Sequence, residues 1–383
     1  MNKTKALILF TIFIDVLGIG VIIPVLPFYV KLFGVTDIAV TLLFVTYALL
    51  AFLSAPFLGA LSDKIGRRPV LIGSIISTAI GWLVFAKAKT IIWLFAGRII
   101  DGFAAGNITT AQTLLADIAT DDKERSVNMG LFGALFGIGF IIGPALGGLL
   151  AHFGNTVPFW FVGILAAINA VLAYFFLPET HTKPSEHPRI SLNPFKPIWD
   201  GLKNAEARML FIAWLLFGIA IATQQGTFAL YVNRIFGMGS TATGLLFAAV
   251  GVMIVLNQTL LLKKVWLKYF TKQQILVMMF VVWGIASLMQ SIAILWVFLV
   301  GMILGTIGQG NLRMAFGSLF SSINPTKRGE YVGISGSIMS LSMIIGPLIA
   351  TATYINHPAL PFVIAGILGF VGWGMVRKEI QQT

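Results

Sequence analysis

The sequence contains no cysteine and few charged residues. Its 383 residues include 26 Lys or Arg and only 14 Asp or Glu, so charged residues make up 10% of the chain. The absence of cysteine excludes disulfides and thiolate metal sites. A soluble domain carries about 25% charged residues. Together with 57% hydrophobic residues, the low charge therefore predicts that this chain needs an apolar solvent.

Histidine is also rare. The four histidines, His152, His181, His187 and His357, all fall in predicted loops. We therefore expect neither a histidine proton relay nor a histidine metal cluster inside the membrane, and no other cofactor. No catalytic motif replaces them, and the sequence predicts that the protein is not an enzyme.

Long apolar stretches dominate what is present. Twelve of them are long enough to cross a hydrocarbon core of ~30 Å at about 1.5 Å per residue. They cover residues 6–32, 40–61, 70–86, 90–117, 127–150, 157–177, 208–232, 241–262, 273–289, 292–319, 328–354 and 358–376. The sequence predicts an all-α membrane protein with twelve transmembrane helices.

The basic residues are distributed unevenly. The net charge is +12, which by itself is also typical of nucleic-acid-binding proteins. If the amino terminus lies in the cytosol, most of the 26 Lys and Arg residues fall in cytosolic segments, as the positive-inside rule requires. The excess charge then orients the protein with both termini in the cytosol, and we expect no nucleic-acid partner.

The second half of the sequence repeats the first. Residues 124–144 recur at 327–347, an offset of 203 positions, with an arginine, two glycines and a Gly-Pro pair in register. The repeat predicts two pseudo-symmetric six-helix bundles, residues 1–177 and 208–383, joined by a cytosolic linker at 178–207. Such halves usually place a binding site at their interface, which implies transport.

A charged turn separates the second and third predicted helices. Residues 59–69 read G-A-L-S-D-K-I-G-R-R-P. This stretch resembles the corresponding loop in the major facilitator superfamily of transporters, most closely the drug/proton antiporter branch. Asp117 ends the fourth predicted helix at the same membrane level. We expect Arg67 to bridge to Asp117, and Asp63 to steady the turn and the start of the eleventh helix, so that the three form a cytosolic gate.

Two carboxylates lie near the middle of predicted membrane helices. Asp15 is in the first helix and Asp101 in the fourth. A charge at that depth costs about 2.5 to 3.5 kcal/mol, so it is usually functional or paired. Arg98 precedes Asp101 by one turn, and the two either only neutralise each other or also serve function. No basic residue lies within a turn of Asp15, which makes it the candidate for carrying a proton or contacting a cationic substrate.

The resemblance extends to both carboxylates. Residues 15–27 are similar to the first helix of tetracycline/proton antiporters, and residues 98–107 to the family's fourth-helix motif. This implies that Asp15, Arg98 and Asp101 take part in proton coupling. Tetracycline exporters carry an aspartate where this chain has Gly81, an acidic residue in the ninth helix and a histidine in the eighth. These differences argue against tetracycline itself as the substrate.

The fifth predicted helix carries glycines at close to four-residue spacing. They are Gly133, Gly137, Gly143 followed by Pro144, and Gly147. Such a seam allows close helix contact, and it resembles the antiporter motif of exporters. It serves either packing alone or a tight contact at the interface between the two halves.

Polar side chains within predicted helices of the second half are candidates for a substrate cavity. They are Gln224, Gln225, Asn257, Gln258, Asn311 and Arg313. Each amide either faces the cavity or hydrogen-bonds a neighbouring helix. Arg313 lies nearer the cytosolic end of its helix, and it either contacts substrate or extends to the membrane surface.

The resemblance implies a secondary transporter of the bacterial plasma membrane. It predicts a monomer in the lipid bilayer that exports small amphipathic or drug-like compounds in exchange for protons, by alternating access. A metabolite facilitator or symporter is the alternative within transport. A membrane receptor that uses the same fold without transporting is the alternative outside it.

Overall fold

The computed structural model describes residues 3–105, 107–119, 122–179, 193–204, 207–322 and 328–382, and within them it contains helices and no strands. The α-helices are α1 (Lys3–Ile22), α2 (Leu26–Lys31), α3 (Asp37–Ile65), α4 (Arg67–Ala86), α5 (Ile91–Phe103), α6 (Asn107–Asp117), α7 (Asp122–Leu150), α8 (Val157–Phe176), α9 (Lys196–Lys203), α10 (Arg208–Phe236), α11 (Ser240–Leu256), α12 (Leu267–Tyr269), α13 (Lys272–Gln290), α14 (Leu295–Ser322), α15 (Arg328–Tyr354) and α16 (Leu360–Gln382). A 3₁₀ turn at Ala151–Phe153 follows α7, and a π-helical segment at Asn257–Trp266 follows α11.

Ten helices in the described ranges are long and apolar enough to cross a membrane. Two predicted spans are not among them. The predicted span 90–117 is divided into α5 and α6, because the chain leaves the helix at Ala104 and Ala105. The span 127–150 lies in α7, and an apolar stretch at Gly137–Phe153 runs from α7 into the 3₁₀ turn that follows it. The chain is a multi-pass, all-helical membrane protein.

Proline ends the first membrane helix earlier than the hydropathy predicts. The apolar stretch 6–32 continues past Ile22, but α1 stops there and a new helix, α2, begins at Leu26. Pro24 is the cause, since proline has no backbone N–H and disfavours helical geometry in the residue before it. Pro27 lies in the first turn of α2, where proline is tolerated.

The chain divides into two compact units. The first consists of Met1–Asn193 with Gly239–Ala248, and the second of Pro194–Met238 with Ala249–Thr383. The start of α11 belongs to the first unit because it packs against the end of α7. Thr241 Oγ1 donates a hydrogen bond to the Gly148 carbonyl at 3.0 Å.

In the first unit, α1 packs against α7 and α8, and α4 packs against α5 and α8. Its core is aromatic near one end, where the rings of Tyr29, Phe85 and Phe159 lie within 6 Å of one another. Tyr29 also donates a hydrogen bond from its hydroxyl to the Phe85 carbonyl at 3.1 Å. These contacts fix α4, which carries part of the candidate site.

In the second unit, α10 packs against α15 and α16, and α13 packs against α14 and α16. Rings of Phe217, Trp283 and Phe316 fill the space between α10, α13 and α14, and all three are buried. The short helix α9, within the predicted linker, packs against α15 and α10. The second unit therefore has a core of its own.

Candidate functional site

Arg98 and Asp101 are buried together in α5. Their side chains are 6% and 8% exposed, and Arg98 Nη1 lies 3.6 Å from Asp101 Oδ2. A strong charge-assisted hydrogen bond between such groups is about 2.7 to 2.9 Å long. The pair is therefore close enough to attract but looser than a tight ion pair.

Aromatic rings hold the rest of the Arg98 guanidinium. Its Cζ atom lies 4.2 Å from the ring centre of Trp82, 5.4 Å from that of Phe85 and 5.6 Å from that of Tyr47. A cation within about 6 Å of a ring face is attracted by it, and more strongly when the cation is desolvated. The three rings help to keep a cation in the membrane, and the sequence analysis did not identify them. The spacing of Trp82 and Phe85, three residues apart in α4, could have indicated that both rings lie on one face of the helix.

Asp101 contacts α4 at two positions. The side chain of Thr78 hydrogen-bonds to its carboxylate. A Cβ at Gly81 would lie 2.9 Å from the Asp101 Cβ and 2.8 Å from the Gly97 carbonyl oxygen, so glycine is required there for α4 and α5 to approach. Tetracycline exporters, which this sequence resembles, carry an aspartate at the position that corresponds to Gly81. Here the neighbouring helix places a carboxylate, Asp101, beside that position.

Asp15 belongs to the same region of the first unit. It is 8% exposed in α1. The hydroxyl of Tyr47 lies within electrostatic range of Asp15, Arg98 and Asp101. Tyr47 is therefore a hydroxyl that interacts electrostatically with each of the three residues predicted for proton coupling.

The expected Arg67–Asp117 contact is present at the other candidate site. Arg67 Nε donates to Asp117 Oδ2 at 3.0 Å, and its Nη1 donates to Ser62 Oγ at 2.9 Å. The side chain of Asp63 lies outside the part of the chain that the structure describes, so its predicted contacts stay predictions.

Glu179 holds the backbone beside Arg67, and the sequence analysis did not identify it. Its two carboxylate oxygens accept hydrogen bonds from the backbone N–H groups of Arg67 and Arg68, at 3.1 and 3.0 Å. A carboxylate is favourable here because the free N–H groups and the dipole of α4 are positive at this end. Gly66 precedes them with φ +105°, and a Cβ there would collide with the Glu179 carboxylate. Nothing near Glu179 in the sequence indicates this contact.

The glycine seam of α7 packs against α1. A Cβ at Gly143 would lie 2.8 Å from the Gly20 Cα, and one at Gly147 would collide with the Val21 backbone. Both contacts are inside the first unit, and they are close because Gly20 on α1 is itself a glycine, so two smooth surfaces meet. The same end of α7 also packs against α11, which belongs to the predicted second half: a Cβ at Gly244 would collide with the Pro144 carbonyl oxygen. Gly133 and Gly137 also lie in α7, but their surroundings are not described.

The candidate cavity residues separate into three groups. Asn257 Nδ2 donates to Asn311 Oδ1 at 3.2 Å, and Trp266 Nε1 donates to Asn257 Oδ1 at 2.9 Å. Both asparagines are fully buried, so they bond neighbouring helices. Gln258 and Arg313 line a cavity of their own.

Gln224 and Gln225 are half-buried in α10. In the part of the chain that the structure describes, no cluster of three or more His, Asp or Glu residues could hold a metal ion.

Comparison with known proteins identifies the family. The model of the Major Facilitator Superfamily matches residues 8–271. The chain belongs to this superfamily. Its members are membrane transporters, so membership confirms both the resemblance and the prediction that the protein is not an enzyme. The motif at residues 59–69 and the pair in α5 lie within the matched range.

Resistance proteins are among the relatives of this major facilitator chain. It is 31% identical over 368 residues to the class C tetracycline resistance protein of Escherichia coli, covering 92% of this chain and 90% of that protein. It is 27% identical over 402 residues to the quinolone resistance protein NorA of Staphylococcus aureus strain MRSA252, covering 100% and 97%.

Solved structures show the same fold at lower identity. The human organic anion transporter MFSD10 aligns with a TM-score of 0.74 and 20% identity, covering 98% of this chain and 99% of that one. A point mutant of the nucleoside transporter NupG aligns with a TM-score of 0.80 and 13% identity, covering 98% and 100%. These two comparisons establish the architecture of the chain.

Proposed function

We propose that the protein is a secondary active exporter that moves small amphipathic or drug-like compounds out of a bacterial cell in exchange for protons. The buried charges Asp15, Arg98 and Asp101 carry the proposal, since ionisable groups inside a membrane usually mark proton or substrate pathways. Similarity to tetracycline and quinolone resistance proteins over 92% to 100% of the chain supports it.

The proposal includes twelve membrane helices in two pseudo-symmetric halves, residues 1–177 and 208–383, joined by the linker 178–207. Ten of the described helices are long and apolar enough to span the membrane. In the proposal, α5 and α6 together form the eleventh span, and α7 forms the twelfth. Equivalent glycines support the symmetry. Gly143 packs against α1. Gly346, 203 positions later, packs against α10 in the same way, because a Cβ at Gly346 would lie 2.8 Å from the Ile219 carbonyl oxygen.

The protein is proposed to act as a monomer in the bacterial plasma membrane, with both termini in the cytosol. The excess of basic residues in the segments assigned to the cytosol supports this orientation. Protons and a small-molecule substrate are its partners, and the proton gradient supplies the energy, with no cofactor.

Asp15 is proposed to carry the proton, and Arg98 with Asp101 to supply the electrostatic field around it. The Arg98 guanidinium lies 3.6 Å from the Asp101 carboxylate and also lies over the rings of Tyr47 and Trp82, so it interacts with both kinds of partner. Tyr47 interacts electrostatically with all three charged residues. Through Tyr47, a change of charge at Asp15 is proposed to alter the electrostatic environment of the Arg98–Asp101 pair.

The cytosolic gate is proposed to consist of Arg67, Asp117 and Asp63, which together favour the outward-open state. Glu179 positions Arg67 by holding its backbone N–H, while the Arg67 side chain reaches Asp117. The gate is partly exposed, with the two side chains of the ion pair 14% and 28% exposed. Its individual contacts are therefore modest in energy.

Glu179→Gln should lower the export rate roughly two- to fivefold, because contacts of this kind contribute about 0.5 to 1 kcal/mol. Asp117→Asn should have a larger effect, since it removes the acceptor charge itself. Dye export into inverted vesicles measures both. Asp37→Asn is the matched control, since Asp37 pairs with Lys31 at 3.6 Å at the opposite end of α3 from this gate. Wild-type export by Glu179→Gln would remove Glu179 from the gate.

The function itself is tested with inverted vesicles that contain the protein and a panel of fluorescent dyes and drugs. We expect uptake of several amphipathic compounds when a proton gradient is imposed, and its loss when the gradient is collapsed. Flux that persists without a gradient would indicate a facilitator. Binding without flux would indicate a receptor. Vesicles without the protein give the background.

A further inference from the structure

The second unit contains a cavity of about 290 Å³ that the proposed coupling site does not use. It is lined by Ile254, Gln258, Gln309, Gly310, Arg313 and Met314. The lining residues come from the end of α11, the π-helical segment and α14. Small-molecule sites are usually concave pockets of roughly 300 to 1,000 Å³ with a few polar groups. This cavity is the size of one end of a drug-like molecule.

Arg313 places a positive charge in this cavity. It lies nine residues before the end of α14 at Ser322, which at 1.5 Å per residue is about 13 Å inside the helix end. Its side chain is exposed and forms part of the lining. Facing the cavity is favourable, because a guanidinium that faced lipid at this depth would lose its hydration without gaining polar partners.

Among the side chains that the structure describes, no ion pair includes Arg313. In the sequence, five acidic residues follow Glu179, and all lie in the linker or near helix ends: Glu186, Asp200, Glu206, Glu330 and Glu379. Arg98 in the first unit, in contrast, has a carboxylate and three rings. A negatively charged ligand would therefore meet a guanidinium that no described carboxylate pairs with.

The amides beside Arg313 complete a polar surface. Gln258 and Gln309 each offer an N–H₂ donor and a carbonyl acceptor. Gly310 leaves room for the Gln258 side chain, since a Cβ there would lie 3.0 Å from Gln258 Nε2. The neighbouring Asn257 is held by Asn311 and Trp266, which fixes the π-helical turn at which Gln258 stands. Such turns occur frequently at functional sites.

We propose that this cavity binds the anionic group of the substrate, so that amphipathic compounds carrying a carboxylate are preferred over neutral ones. Arg313 is the charge partner, because the planar guanidinium can donate two parallel hydrogen bonds to a carboxylate. Gln258 and Gln309 hydrogen-bond the adjoining polar atoms, and Ile254 and Met314 contact the apolar part. This substrate preference rests on the proposed function as an exporter.

The test compares 1-pyrenebutyrate with its neutral amide, which has nearly the same shape. Both are titrated onto the purified full-length protein in lipid nanodiscs at neutral pH, and pyrene fluorescence anisotropy gives the affinities. We expect the wild type to bind the carboxylate roughly tenfold or more tightly than the amide. Arg313→Gln should remove that preference by weakening carboxylate binding more than amide binding, while Arg313→Lys should keep part of it.

Arg234→Gln is the matched control, since Arg234 is an exposed arginine at the end of α10 in the same unit. It should bind both probes as the wild type does. If Arg313→Gln does not fold, Gly310→Val provides a second variant, which should weaken carboxylate binding by crowding Gln258. Equal wild-type affinities for the two probes would overturn the proposal, as would equal losses for both probes in Arg313→Gln.

Failure of this site and failure of the exporter function give different results. Gradient-driven export of the dye panel with no preference for carboxylates leaves the exporter and removes the site. If the protein prefers carboxylates in nanodiscs but shows no gradient-driven flux in vesicles, the proposed site stands and the proposed exporter function is wrong.

Discussion

Asp15→Asn is expected to reduce gradient-driven export to the level of vesicles without the protein. Asparagine keeps the size of the side chain but cannot take up or release a proton, and Asp15 is the proposed proton carrier in a buried cluster. Binding of neutral ligands should persist, because the substrate cavity is proposed elsewhere. Proton release on substrate binding, measured in detergent, should fall with export.

Two further variants sharpen the result for Asp15. Asp37→Asn is the matched control, because Asp37 starts α3 and pairs with Lys31 at 3.6 Å, away from the Arg98 cluster. It should export normally. Arg98→Ala should disturb coupling by leaving Asp101 without its cation. Unchanged proton release and normal gradient-driven export in Asp15→Asn would show that coupling occurs elsewhere or that the protein is no antiporter.

Gly143→Leu is expected to cost most of the transport activity and to reduce it more than it reduces expression. The first atom added at Gly143 already lies 2.8 Å from the backbone of α1 at Gly20, where no flexible side chain can move aside. Forcing extra atoms into a packed contact costs about 1 to 3 kcal/mol and shifts the backbone. Because α1 carries Asp15, its displacement should disturb coupling or open a leak. Dye export and proton leak in vesicles measure these effects.

Gly73→Leu is the control for this prediction, since a Cβ at Gly73 on α4 meets nothing within 4 Å. It should leave both transport and expression unchanged. Gly147→Leu should behave like Gly143→Leu, because its added Cβ would collide with the Val21 backbone. Normal transport by Gly143→Leu would show that close contact between α7 and α1 is not needed for the cycle.

Hydropathy and short-range spacing determined much of this protein. Apolar stretches predicted a multi-pass helical membrane protein, and the motif at residues 59–69 indicated the family. The spacing of Arg98 and Asp101 predicted their contact, because residues one turn apart share a helix face. Each of these properties depends on only a few consecutive residues, so it can be read directly from the chain.

Only the tertiary structure decided which distant residues meet. Glu179 holds the start of α4 from 112 positions away, and the rings around Arg98 come from α3 and α4. The glycine seam packs against α1 because Gly20 faces it. The asparagines of the second unit pair with each other, while Arg313 faces a cavity. Each partner depends on which helix faces pack together, and no local pattern in a membrane helix specifies its neighbour.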